Sequence, residues 1–220
     1  MAARNYGQYS GVVSALELVG ERWALLIVRD LLVGPRRYSD LKAALPRIPT
    51  NILSTRLREL QEGGVIRRAP LHHSVVYLLT DAGRELEPIV LALGRWGARA
   101  LGEPADDDII SAESLTFDLR SAFQADAAAA FPATSYLVRV GADALVVRVS
   151  AVGLVVSPRD DDVAVDLDFT AEPGILRLLT GDLSAAAAIN DGIIGIRAGN
   201  PLLLDRFSST FTHAKQAVAF

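Results

Sequence analysis

The chain has 220 residues, half of them apolar and 22% charged, a balance that builds packed cores, suits two domains, and excludes a disordered polyelectrolyte. It contains no cysteine and only three histidines, which removes disulfides, thiolate nucleophiles, iron–sulfur ligation and thiol redox sensing, and leaves zinc to histidine and carboxylate alone. The net charge of −4 hides an asymmetry: residues 1–103 carry 14 Lys/Arg against 10 Asp/Glu and residues 104–220 carry 8 against 16, the pattern of a chain that meets nucleic acid with one half only.

Apolar periodicity predicts a first helix over 10–19, with Val13 and Leu16 on its apolar side, closed by Gly20. A nearly buried second helix is expected over 21–33, ended by Gly34-Pro35. Ser39 is suited to cap a short helix reaching 44, and Thr50 to cap another over 50–62 that stops at Gly63-Gly64. Residues 65–68 and 75–79 read as a β-hairpin, with Pro70 and His72-His73-Ser74 between the strands. A longer helical stretch from Thr80-Asp81 to about 101 is interrupted at Pro88, and Leu86, Ile89, Leu93 and Trp96 line one side of it. The aperiodic run 103–108, with Asp106-Asp107-Asp108, places a linker at 104–111 between a first domain, 1–103, and a second, 112–220.

Helix, turn, helix and hairpin in this order describe a winged helix-turn-helix, whose second helix enters the DNA major groove. At 100° per residue Leu53, Leu57 and Leu60 fall within about 60° of each other and face the core. The opposite side presents Asn51, Ser54, Thr55 and Arg58, with Arg56 at the flank, and these are residue types that pair with base edges. Arg36 and Arg37 are placed to grip phosphate. A hairpin bearing Arg67, Arg68, His72 and His73 is placed to follow the backbone or enter the minor groove.

The ordered series Leu16-Glu17-Leu18-Val19-Gly20-Glu21-Arg22-Trp23, Leu26-Ile27-Val28-Arg29-Asp30-Leu31, Gly34-Pro35-Arg36-Arg37-Tyr38, Leu53-Ser54-Thr55-Arg56-Leu57-Arg58-Glu59-Leu60, Tyr77-Leu78-Leu79-Thr80 and Gly83-Arg84 resembles the HxlR-type, MarR-like regulators over residues 9–101. The resemblance implies a homodimer built from the first and last helices of the domain, here Leu16 with Leu86, Ile89, Leu93 and Trp96, bound to a pseudo-palindromic operator. Where many members carry a Cys-Pro near the first helix, sometimes redox-active, this chain has Ser10-Gly11.

Beyond the linker a helix over 114–123, β-branched segments at 135–140, 144–149, 153–157 and 163–169, helices at 172–179 and 185–189, a strand at 193–197 and a closing helix at 201–211 predict an α+β domain with an antiparallel sheet. Residues 176–189 and 191–196, within about 112–211, resemble the sterol-carrier-protein-like fold, which implies either an apolar tunnel that takes an apolar small-molecule effector or a solid domain that serves only dimerisation. A domain of such acidity is expected to lie away from phosphate.

No metal site, cofactor or catalytic motif is expected: His72 and His73 are adjacent, His213 reads as an isolated tail residue, and the aspartate runs 106–108 and 160–162 lack calcium-loop spacing. No apolar stretch approaches the roughly 20 residues of a membrane helix and no signal peptide is apparent, so a cytoplasmic, membrane-free location is expected. The expectation is a transcription regulator acting as a repressor on double-stranded DNA. The alternative is a lipid or apolar-metabolite binding protein whose winged helix serves only dimerisation.

Overall fold

The computed structural model describes residues 6–71, 74–159 and 164–213. The chain divides into two compact units, 1–90 and 91–220, with the division inside the helix Glu87–Ala98.

The first unit contains α1 (Gly11–Val19), α2 (Ala24–Val33), α3 (Tyr38–Ala44), α4 (Thr50–Glu62), β1 (Ile66–Leu71), β2 (Ser74–Leu79) and α5 (Asp81–Arg84). Ile27, Val28 and Leu31 of α2 form its centre with Leu41, Ile48, Leu53, Leu57 and Leu60, closed by Ile66, Val76 and Leu79 of the hairpin. The second helix starts at Ala24 and not at 21, because residues 21–23 form a turn closed by the Ala24 N–H on the Glu21 carbonyl at 2.9 Å. Asp30, an acid on this apolar helix, is 0% exposed and paired with Arg29 at 2.8 Å.

The caps differ from expectation. Arg37 takes the cap position of α3, and the Asp40 carboxylate accepts its backbone N–H at 2.8 Å. The expected cap, Ser39, lies inside the first turn, where its hydroxyl donates to Asp40 at 3.2 Å. Pro49 precedes α4, so Thr50 is its first helical residue. Thr80 caps α5: its hydroxyl accepts the Gly83 N–H at 3.0 Å and donates to the Gly64 carbonyl at 2.6 Å. A Cβ at Gly83 would sit 2.1 Å from the Val65 carbonyl oxygen, so this approach of backbone to backbone requires glycine.

Two proline assignments are corrected. Pro70 lies within β1 opposite Val75, where a two-stranded ribbon leaves both strands as edges that tolerate the missing N–H. The helix break falls at 85–86 and not at Pro88, which occupies the first turn of α6 (Glu87–Ala98), where its N–H would be unused.

In the second unit, α7 (Ala112–Ala122) and α8 (Ala125–Ala129) precede β3 (Thr134–Val140), β4 (Asp143–Ser150), β5 (Gly153–Pro158) and β6 (Leu167–Ala171). They are followed by α9 (Ile175–Thr180), α10 (Ala185–Asn190), β7 (Ile194–Gly199) and α11 (Leu203–Thr210). Strand order is β5-β4-β3-β6-β7. The expected antiparallel sheet is in fact mixed, because β6 returns beside β3 and runs parallel to it, Tyr136 opposite Leu167. Alternation along each strand fixes which side chains face the core and leaves strand pairing open.

One face of this sheet carries Tyr136, Val138, Val147, Val149, Leu167 and Phe169 into the core, against Leu115 and Leu119 of α7, Leu178 of α9 and Leu204 and Phe207 of α11. Phe207 is central, with ring centroids 5.1 Å from Tyr136, 5.5 Å from Phe169 and 4.6 Å from Phe211. Burial pushes the Tyr136 hydroxyl up to about 12. His213 is not an isolated tail residue: its backbone N–H donates to the Leu179 carbonyl at 2.8 Å and its ring is half-buried. No helix among the described residues is long and apolar enough to cross a membrane, and none of the His, Asp or Glu groups among them clusters as a metal site would.

Candidate nucleic-acid interface

Helix α4 is amphipathic by construction. Leu53, Leu57 and Leu60 are buried, and the turns between them leave Asn51, Ser54 and Arg58 exposed, with Thr55 partly so. The Ser54 and Thr55 hydroxyls donate back to the Thr50 and Asn51 carbonyls at 3.1 and 2.9 Å, which keeps both side chains close to the helix. Arg58 approaches Glu62 only to 3.9 Å with 62% of its side chain exposed, so its fork is held weakly and points into solvent.

Arg56 is placed differently. It pairs with Glu59 on its own helix and with Glu21 at 3.4 Å, and its side chain is 13% exposed. This arginine ties α4 to the turn before α2.

The helix is also held from α3. The Tyr38 hydroxyl donates to the Thr50 carbonyl at 3.0 Å and lies 3.3 Å from the Ser54 hydroxyl. That contact occupies a carbonyl of the first turn and sets where the N-terminal end of α4 sits. Lys42 donates to the Pro46 carbonyl at 2.9 Å, bracing the turn between the two helices.

Backbone bonds in both directions between Arg36 and Tyr77, 2.9 and 2.7 Å, join the segment before α3 to the hairpin. Arg37 is exposed beside it. On β1, Arg67 and Arg68 are both exposed, and the Arg68 guanidinium lies 5.7 Å from the centre of the Tyr77 ring. His72 and His73 fall outside the described residues. The structure therefore brings Arg36, Arg37 and the start of α4 together through Tyr38, and joins Arg36 to the hairpin through Tyr77.

Sequence reasoning missed Tyr38. Nothing in the spacing of one tyrosine indicates that its hydroxyl will reach residue 50, and the signal that was available is only its place at the start of the helix before the turn.

Residues 18–104 match the model of the HxlR-like helix-turn-helix family. The HTH-type transcriptional regulator YvaP of Bacillus subtilis is 40% identical over 85 residues, covering 37% of this chain and 79% of that protein. The HTH-type transcriptional regulator Rv3095 of Mycobacterium tuberculosis is 45% identical over 93 residues, 41% of this chain and 58% of that protein. Among solved structures, the HTH-type transcriptional regulator ytcD is 39% identical with a TM-score of 0.39, covering 42% of this chain and 97% of that one.

Proposed function

The chain belongs to the HxlR-like helix-turn-helix family of DNA-binding transcriptional regulators through its first hundred residues, and on that premise we propose that it is a homodimeric repressor reading a pseudo-palindromic operator with α4. The observation that carries this reading is the outward face of Asn51, Ser54 and Arg58 over a buried leucine stripe, with the helix end fixed by Tyr38. Asn and Arg offer bidentate pairs to adenine and guanine, and Arg37 and Arg67 offer phosphate contacts beside them. Arg56 stays within the domain, engaged by Glu21 and Glu59.

Dimerisation draws support from large apolar side chains left in solvent. Val12 and Leu16 on α1 are exposed, as are Ile89, Leu93 and Trp96 on α6, the tryptophan at 69%. A second copy offers the same surfaces to cover them, as a two-fold interface does. For the second unit, an effector role meets a physical condition: Tyr136, Phe169, Phe207 and Phe211 pack against one another in the core, so an apolar ligand entering among them displaces an aromatic ring.

The test is nuclease protection of the DNA upstream of the chain's own gene at physiological salt, with sedimentation at micromolar concentration. A two-fold symmetric footprint and a dimer are expected. Absence of any protected site, or a monomer only, sinks the reading.

A further inference from the structure

The outward face of the five-stranded sheet has a sign opposite to that of the unit that carries it. By strand register, the side chains opposite the core include Ser135, Leu137 and Arg139 on β3, Val146 and Arg148 on β4, Val155 on β5, and Asp168 and Thr170 on β6; Leu137 and Val146 are buried at the middle of this face, and Arg148 and Val155 are exposed beside them. Arg159 follows β5, its backbone N–H donating to the Ala144 carbonyl at 2.9 Å, and Arg197 sits at the irregularity where β7 pairs with β6.

Residues 104–220 hold 8 basic residues against 16 acids, yet Arg139, Arg148, Arg159 and Arg197 collect here. Arg139 is committed to Asp168 by two bonds of 2.7 and 2.8 Å. That carboxyl is held below the usual carboxylate range by the Arg139 hydrogen bond first, with the charges of Arg197 and Arg159 adding to it, which places all three guanidinium groups around one acid. Arg148, Arg159 and Arg197 are exposed, and no ion pair holds them among the described residues.

We propose that, contrary to the expectation from the net charge of residues 104–220, this sheet face binds the phosphodiester backbone of DNA, adding a sequence-independent grip to that proposed for the winged helix. The extent of the face selects a polymer over a small anion. Arg148 on β4 and Arg197 on β7 are three strand spacings apart, about 14 Å at about 4.8 Å per strand, while a duplex presents a charge every ~1.7 Å along its axis. Guanidinium forks suit phosphate oxygens in pairs.

The proposal is tested on the full chain by the salt dependence of binding to a labelled mixed-sequence duplex. Each lost phosphate contact lowers the slope of log K against log salt by ~0.9. The triple variant Arg148→Gln, Arg159→Gln, Arg197→Gln is expected to lose ~2–3 from the slope while keeping its preference for an operator. The Arg→Lys triple variant is expected to keep the wild-type slope. Arg58→Ala, in contrast, is expected to relax operator preference and leave the slope with mixed-sequence DNA nearly intact. A Gln variant with wild-type slope overturns the proposal, and so does equal loss in the Gln and Lys variants, which would mark a structural role. Failure of the wild-type chain to bind any duplex would instead strike the DNA-binding reading itself.

Discussion

The two units use arginine in opposite ways. In the first, the arginines proposed to meet DNA stand on one helix and the hairpin beside it, so Arg58 and Arg67 are presented by local chain geometry over a leucine core. In the second, Arg139, Arg148, Arg159 and Arg197 come from four segments and meet only because the sheet runs β5-β4-β3-β6-β7. A helix face is specified by its own period, whereas a sheet face is specified by pairing between distant segments. Net charge therefore describes the first unit fairly and misdescribes the second.

The largest effects that would break this comparison come from the cores. Phe207→Ala removes the ring that touches Tyr136, Phe169 and Phe211 and should cost ~3–5 kcal/mol, with Leu57→Ala in the first unit costing ~2–5 kcal/mol. Urea denaturation followed by circular dichroism measures both. If the sheet merely supports the arginine face, Phe207→Ala should flatten the salt slope of DNA binding and Leu57→Ala should abolish operator preference. Identical binding defects in the two variants would show that the division of roles is wrong.

Arg58→Ala comes next, at ~1–3 kcal/mol per half-site with relaxed preference at the contacted base pair. Competition titrations against single-base operator variants read this directly. An unchanged preference would mean that α4 presents a different face.

Tyr38→Phe is subtler, because it leaves every exposed side chain of α4 in place. Loss of its bond to the Thr50 carbonyl should cost ~0.5–1.5 kcal/mol, read as weaker operator binding with little change in folding midpoint. A fall in stability with undiminished affinity in the remaining folded protein would assign Tyr38 to the fold alone.

How much was legible follows the same division. Helix α4 occupies 50–62 as its leucine spacing predicts, and the family resemblance rested on residues close together in the chain. The parallel pairing of β6 with β3 left no local trace, since alternating β-branched residues satisfy either direction. Buried Asp30 was unreadable for a related reason: its neutralising partner is the adjacent Arg29, and the pair looks like any exposed ion pair on a helix. His213 seemed a tail residue because the carbonyl that orders it belongs to Leu179, 34 positions earlier by residue number.

His213 also supplies the smallest expected effect, and one confined to the second unit. Its ring is half-buried, its Nδ1 has no hydrogen-bond partner among the described residues, and burial, with the charge of Arg95, lowers its pKa. The folded chain therefore binds fewer protons than the unfolded chain just below the unfolded value of about 6.5. Stability contributed by the neutral ring is present above that pH and is withdrawn as pH falls toward the folded value. Asp166, bonded by Ser135, and Asp168, bonded by Arg139, act in a separate window, since both have lowered pKa values. Their contribution persists above the unfolded carboxylate value of ~3.9 and is lost only as pH falls through the lower folded ones. Urea midpoints of wild type should therefore drop as pH falls below about 6.5, and His213→Gln should flatten that segment while leaving the acid limb below it unchanged. If the variant keeps the wild-type slope in this interval, the ring is not what senses the proton, and the packing of residue 213 beside α9 has no pH-dependent consequence.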